Sequence, residues 1–128
     1  MDLIISVIPC QFASMAIEGI KNYLKPWVTI LNIAKGINNK TLETIWESLK
    51  RVLDWKNYNY ADLSWWMIAS ELVEWKQLWA DIAIENKEIW TKLKSLFESE
   101  KLEINHWNIT SCCKWNLKTS WGFIWKYA

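Results

Sequence analysis

The chain has 128 residues, of which 52% are hydrophobic and 23% are charged, and its formal net charge is +1. This size and composition favour one globular domain and exclude wholesale disorder and a multi-span membrane protein. Arg51 is the one arginine among fifteen basic residues, and because base reading prefers the planar guanidinium, we expect no sequence-specific DNA binding.

Only three glycines and two prolines interrupt the chain. Strands need frequent turns that these residues form, so the composition predicts an all-α fold, a helical bundle of about four to six helices. We expect residues 1–103 to form this bundle and residues 104–128 to form a C-terminal segment rich in tryptophan and lysine that packs on the same domain.

Two helices are predicted in the first part of the chain. The first runs from about Cys10 to Lys25, since Pro9 discourages an earlier start and the residue before Pro26 is pushed out of the helical region. The second follows up to Gly36, with apolar residues at helical spacing, namely Trp27, Ile30, Leu31 and Ala34.

A third helix is predicted after Thr41, which is a plausible N-cap. Its apolar residues recur with the period of an amphipathic helix: Leu42, Ile45, Trp46, Leu49, Val52 and Leu53. Residues 57–60 then read as a break between helices.

A heptad pattern dominates residues 62–99. Large apolar residues, interrupted once by Asn86, step by three and four along it: Trp65, Ile68, Leu72, Trp75, Trp79, Ile82, Ile89, Leu93 and Leu96. The spacing predicts either one long helix or two helices, 62–84 and 87–99, with Asn86 at the junction.

Twelve tryptophans are more than one small core absorbs comfortably, because each indole nitrogen needs a partner when it is buried. Tryptophan is enriched at interaction hot spots. The leading prediction is therefore a non-enzymatic, coiled-coil-like module for protein–protein interaction or self-assembly, a homo-oligomer or a binder of a protein partner. Its candidate contact residues are Trp66, Trp75, Trp79, Trp90 and Phe97.

The C-terminal segment supports an alternative function. Interleaved aromatic and basic residues suit a peripheral membrane surface or single-stranded nucleic acid such as RNA. The residues that would make these contacts are Trp107, Lys114, Trp115, Lys118, Trp121 and Trp125.

A thiol-dependent enzyme is a further alternative. His106 is the only histidine and would have to serve as the base for Cys112 or Cys113. The same three residues are weak candidates for a metal site, because adjacent cysteines chelate one ion awkwardly. We expect no metal and no cofactor, and the sequence contains no glycine-rich phosphate loop. The odd number of cysteines favours a reducing, intracellular and cytoplasmic location.

The biased composition and the predicted helices, punctuated by tryptophan, are similar to those of small viral or retroelement proteins, including Gag-like helical domains and accessory proteins. No zinc knuckle and no initial Met-Gly accompanies this resemblance. A small helical protein of viral or retroelement origin is therefore another alternative, and the resemblance assigns no residue. A recently arisen or artificial reading frame would explain the weakly patterned C-terminal segment equally well.

Overall fold

The protein is described by a computed structural model that covers residues 1–53, 57–65, 73–74 and 77–107. The described elements follow one another as β1 (Leu3–Ser6), α1 (Cys10–Ile20), a 3₁₀ turn (Lys21–Tyr23), β2 (Val28–Asn32), α2 (Ile45–Val52), β3 (Tyr58–Trp65), β4 (Leu78–Ala83), α3 (Lys87–Phe97) and β5 (Leu102–Trp107).

The five described strands form one mixed sheet in the order β1-β2-β3-β4-β5. The first three strands are mutually parallel, β4 runs antiparallel to β3, and β5 is parallel to β4. In this register Ser6 lies beside Asn32, and Asn32 lies beside Asp62. The carboxyl ends of the three parallel strands therefore meet at one edge of the sheet.

Helices cover both faces of the sheet. Ile30 of β2 and Tyr60 of β3 belong to the core cluster that packs against α1 and α2. Leu31 and Leu63 belong to the second cluster, with Leu93 of α3. Because neighbouring side chains in a strand point to opposite faces, Ile30 and Leu31 lie in different clusters, one on each face of the sheet. The fold of the described residues is therefore α/β, with helices on both sides of the sheet.

The all-α prediction is wrong, and β2 shows one reason. Residues 28–32 are all buried and form a strand where a second helix was expected. A short apolar run has the same appearance in a buried strand and in a buried helix, so its spacing does not distinguish them.

The heptad pattern over residues 62–99 is the larger error. Its first part contains β3 and β4, so the expected long helix, the helix 62–84 and the break at 57–60 are all wrong. Trp79 and Ile82 shared the predicted helix face, yet Trp79 is 51% exposed on β4 whereas Ile82 is fully buried. The side chains of β4 instead alternate between the two faces of the sheet: Ala80 and Ile82 belong to the cluster that α3 covers, whereas Ala83 belongs to the other cluster.

Three predicted helices are present. The first corresponds to α1 with the 3₁₀ turn, and the third to α2, although Thr44 rather than Thr41 is its N-cap and forms a capping box with Glu47. The helix expected at 87–99 is α3, and Asn86 stands at its start, where its side chain accepts hydrogen bonds from the amides of Glu88 and Ile89.

Strand β5 ends at Trp107, and residues 108–128 lie outside the described residues. The division into residues 1–103 and 104–128 therefore stays a prediction. No described helix is both long enough and apolar enough to cross a membrane.

Candidate functional site

Polar side chains are buried at the edge where the parallel strands end. Ser6, Asn32 and Asp62 are paired across β1, β2 and β3, and their exposed fractions are 4%, 2% and 5%. Burial of polar groups is unfavourable unless they are hydrogen-bonded. Their concentration at the carboxyl edge, where open α/β sheets bind ligands, marks this edge as the candidate site.

Asn32 lies at the centre of this edge. Its Nδ2 donates to the carbonyl oxygen of Ala34 at 2.8 Å and to Oδ1 of Asp62 at 3.4 Å. Its Oδ1 has no hydrogen-bond partner among the described residues, and the same is true of Oγ of Ser6. Such unsatisfied buried acceptors are rare in folded proteins and indicate an unfilled requirement for a donor.

Lys35 follows β2 and brings a positive charge to the edge. Its Nζ donates to the carbonyl oxygen of Leu63 at 2.8 Å and to Oγ of Ser64 at 3.2 Å. The same Nζ lies 3.3 Å from Oδ1 of Asp62. The lysine side chain is 37% exposed and the aspartate side chain only 7%. The ammonium therefore bridges the ends of β2 and β3 while one side of it faces outward.

Gly36 allows the chain to turn directly after Lys35. Its φ is +123°, a backbone conformation that residues other than glycine rarely adopt. A Cβ atom there would lie 3.1 Å from Sγ of Cys10. The loop thus approaches the first turn of α1 closely.

A hydrogen-bonded turn continues the loop. Oδ1 of Asn38 accepts from the amides of Lys40 at 2.9 Å and Thr41 at 3.3 Å. Glu43 then accepts two bonds from the Arg51 guanidinium, at 3.1 and 3.0 Å. These bonds lower the pKa of Glu43 and raise the pKa of Arg51. The loop between β2 and α2 is therefore fixed to α2 as well as to α1.

The residues predicted for self-assembly are dispersed. Trp79 is exposed on β4, where its Nε1 donates to Oε2 of Glu103 at 3.2 Å. Trp90 and Phe97 pack from α3 onto the second core cluster. Trp66 and Trp75 lie outside the described residues. No described contact joins these residues to Lys35, and their role in assembly stays a prediction.

Of the C-terminal candidates, the structure describes Trp107, which is 42% exposed at the end of β5. The others lie outside the described residues: Lys114, Trp115, Lys118, Trp121 and Trp125. Binding of a membrane surface or RNA through this segment stays a prediction.

His106 lies on β5, away from Lys35. Its Nε2 is 3.0 Å from the carbonyl oxygen of Ile84, and its ring meets Trp90 edge-on at 5.1 Å between centroids. Cys112 and Cys113 lie outside the described residues. Within the described ranges, no group of three or more His, Cys, Asp or Glu side chains could hold a metal ion.

Sequence reasoning missed Asn32, Lys35 and Asp62. One signal was available, because a buried apolar run that ends in polar residues and a glycine is typical of a strand followed by a binding loop. The helical interpretation of residues 27–36 concealed it.

Two comparisons by sequence match this chain to known proteins. Residues 1–90 match the family model for the N-terminus of NAD-dependent glycerol-3-phosphate dehydrogenase. A chloroplastic NAD(+) glycerol-3-phosphate dehydrogenase of Arabidopsis thaliana is 26% identical over 104 residues, covering 81% of this chain and 25% of the relative.

Solved structures of glycerol-3-phosphate dehydrogenases have the same fold. The Plasmodium falciparum structure has a TM-score of 0.70 at 22% identity, covering 84% of this chain and 30% of its own. The Coxiella burnetii structure has a TM-score of 0.68 at 16% identity, covering 81% and 30%. The Saccharomyces cerevisiae structure has a TM-score of 0.65 at 18% identity, covering 84% and 33%. The chain thus spans about a quarter to a third of these relatives.

These matches correct the functional prediction. A non-enzymatic helical module, a coiled-coil-like oligomer and a Gag-like viral protein are all wrong, because the matched family is one of α/β oxidoreductases. The thiol-dependent alternative is wrong as well, since the family is defined by NAD-dependent dehydrogenases. The chain belongs to the NAD-dependent glycerol-3-phosphate dehydrogenase family, and its residues 1–90 correspond to that family's N-terminal region.

Proposed function

We propose that the protein acts in hydride transfer between glycerol 3-phosphate and NAD, and that the carboxyl edge of β1, β2 and β3 forms part of the reaction site. The observation that carries this proposal is the Lys35 ammonium, fixed at that edge by Leu63, Ser64 and Asp62. The names of the family and of its relatives supply the substrate and the cofactor.

The residues at this edge fit a dinucleotide in part. Dinucleotides lie outside the carboxyl ends of parallel strands, which is where Asn32 and Ser6 keep unsatisfied buried oxygens. The first amides of α1, at Cys10 and Gln11, have no acceptor within the helix and open at the same edge. Oδ1 of Asn32 suits an amide donor, and the α1 amides suit an acceptor. The 128 residues contain no Gly-x-Gly-x-x-Gly turn for a pyrophosphate. NAD, when bound, supplies the carbon that accepts or returns the hydride.

The Lys35 ammonium is suited to bind the substrate oxygen on the carbon that gives or accepts the hydride. The hydrogen bond from its Nζ to the Leu63 carbonyl oxygen is short at 2.8 Å, whereas the contacts with Ser64 and Asp62 are longer at 3.2 and 3.3 Å. The contact with the neutral Ser64 hydroxyl is the one that a substrate oxygen replaces with least loss, because the contact with Asp62 pairs two opposite charges. The ammonium then stabilises the negative charge that develops on that oxygen as the hydride moves.

Asp62 and Asn32 hold this ammonium in place. The Asp62 carboxylate compensates the charge of Lys35, and Nδ2 of Asn32 donates to the same carboxylate oxygen at 3.4 Å. Because Asp62 is nearly buried, it has little freedom to move away from the pair. The two residues therefore fix the direction of the Lys35 amine.

Replacement of Lys35 tests the proposal. In the purified protein, NADH formation from NAD and glycerol 3-phosphate should fall by about 100-fold in Lys35→Met, the loss expected when a charge-stabilising donor is removed. Lys40→Met is the matched control, since Lys40 lies exposed in the same loop, and its rate should equal that of the wild type. No NADH formation by the wild-type protein, or equal rates for both variants, would overturn the proposal.

An intracellular, cytoplasmic location belongs to the same proposal. It is supported by the free thiol of Cys10, which is buried in the first turn of α1, because structural thiols persist in reducing compartments. Fractionation of cells that express the tagged protein tests it, and recovery from a secreted fraction would contradict it.

A further inference from the structure

The segment that carries Lys35 is held by α1 through one glutamine. Nε2 of Gln11 donates to the carbonyl oxygen of Ile37 at 3.2 Å, and Oε1 of Gln11 accepts from the amide of Asn39 at 3.0 Å. One planar side-chain amide thus satisfies two backbone groups of the loop, as a neighbouring strand would.

A second contact strengthens this attachment. Sγ of Cys10 also donates to the carbonyl oxygen of Ile37, at 3.2 Å. The glycine at position 36 lets the loop approach this sulfur closely, because a Cβ atom there would stand 3.1 Å away. The first turn of α1 and the loop are therefore in tight contact immediately after Lys35.

Lys35 is consequently fixed from two sides. Its side chain is bound to β3 through the carbonyl oxygen of Leu63, and its main chain leads within two residues to the carbonyl group that Gln11 binds. Loss of the Gln11 contacts leaves Ile37 bound by Cys10 alone and removes the contact with Asn39, so the main chain that carries Lys35 is held less firmly.

We infer that Gln11 is a positioning residue, whose side-chain amide clamps Ile37 and Asn39 and thereby sets where the Lys35 ammonium lies. The inference rests on the proposed function only in treating Lys35 as a residue of the site. Gln11 acts through the loop and is not assigned a contact with substrate. It also connects the helix start beside the dinucleotide edge with the lysine on the neighbouring strand.

Gln11→Met removes both hydrogen bonds to the loop, together with the contact between Nε2 of Gln11 and Sγ of Cys10, and keeps nearly the same side-chain length. Gln77→Met is the matched control, because Gln77 is exposed before β4 and remote from the loop in sequence. The measurement is the rate at which acetic anhydride modifies each lysine amine, followed by mass spectrometry of peptides. Lys87, exposed at the start of α3, serves as the internal reference.

The rate at Lys35 relative to Lys87 should rise about fivefold in Gln11→Met, as expected for the loss of hydrogen bonds that each contribute modestly to a closed state. The ratio should not change in Gln77→Met. Gln11→Ala carries the same expectation, so that a folding failure of one variant leaves the other for the test.

An unchanged ratio in a folded Gln11 variant would overturn the inference, and so would an equal rise at every lysine, which indicates general loosening of the fold. This readout does not depend on turnover. A protein without NADH formation but with a selective rise at Lys35 would contradict the proposed function and leave the role of Gln11 supported.

Discussion

The two parts of the sheet differ in what they bury. The parallel strands β1, β2 and β3 bury Ser6, Thr29, Asn32 and Asp62, whereas β4 and β5 bury Asp81 as their one polar residue in the described ranges. The second part is closed by aliphatic packing of Ala80, Ile82 and Ile104 against α3. Buried polar groups weaken a core unless they are paired, so the place of Ser6, Asn32 and Asp62 at the carboxyl edge indicates a site rather than a contribution to stability.

The two parts of the sheet therefore have different roles. Strands β4 and β5 contribute mainly apolar burial, which stabilises the fold. Strands β1, β2 and β3 contribute polar atoms at their carboxyl ends, including the unsatisfied oxygens of Ser6 and Asn32. Substitutions in the two parts should therefore have different effects.

The largest effect is expected in the aliphatic part. Ile82→Ala removes a fully buried side chain from the second core cluster, and the free energy of unfolding should fall by about 2–5 kcal/mol. Urea denaturation followed by circular dichroism measures this change. A loss below about 1 kcal/mol would contradict the assignment of β4 to the packed core.

A stabilising substitution is expected where the chain enters β2. Trp27 has a φ of +64° and is 64% exposed, so its backbone adopts a conformation that favours glycine while its ring gains little burial. Trp27→Gly should raise the free energy of unfolding by about 1 kcal/mol through relief of this strain. Trp79→Gly is the control and should lower stability, because a glycine within a strand weakens it. A lower free energy of unfolding in Trp27→Gly would contradict the claim that the backbone at Trp27 is strained.

Asn32→Leu tests the polar part directly. The substitution removes the two donor contacts of Nδ2 and also an acceptor without a partner, and these effects offset one another. The free energy of unfolding should change by less than about 1 kcal/mol, while NADH formation falls strongly. Asn105→Leu, at an exposed position on β5, should leave both quantities unchanged. A large loss of stability in Asn32→Leu would make this edge a structural element instead of a site.

The smallest effect concerns pH and the loop that leads into α2. Hydrogen bonds from Arg51 lower the pKa of Glu43 below the value of the unfolded chain. The resulting stabilisation is complete above the unfolded pKa and is lost as the pH falls through the folded value. Unfolding free energy measured against pH should therefore decline less steeply at acidic pH in Glu43→Gln than in the wild type. The same pH dependence in the variant and the wild type would contradict the link between the Glu43 pKa and stability.

Local sequence signals predicted the helices better than the strands. The alternative with a junction at Asn86 and a helix over 87–99 agrees with α3, because the start of this helix and its amphipathic face lie within one short segment. Strands β2 and β4 were missed because their short apolar runs also fit a helical period. Only their pairing in the sheet determines their conformation.

The site was less predictable for the same reason. Lys35 meets Leu63 and Ser64, which are 28 and 29 residues away along the chain. The strand register brings them together, and no local pattern encodes that register. Gln11 and Ile37 are 26 residues apart and meet for a similar reason. A strand that ends at Asn32 and is followed by Lys35 and Gly36 was the one available signal.

Amide chemical shifts measured during titration with NAD and then with glycerol 3-phosphate test most directly whether the carboxyl edge of the parallel strands is the site. The account predicts that the shifted amides cluster in three segments, residues 6–11, 32–39 and 62–65, and that β4 and β5 stay largely unchanged. Shifts that concentrate on β4 and β5, or the absence of shifts at saturating ligand, would contradict it.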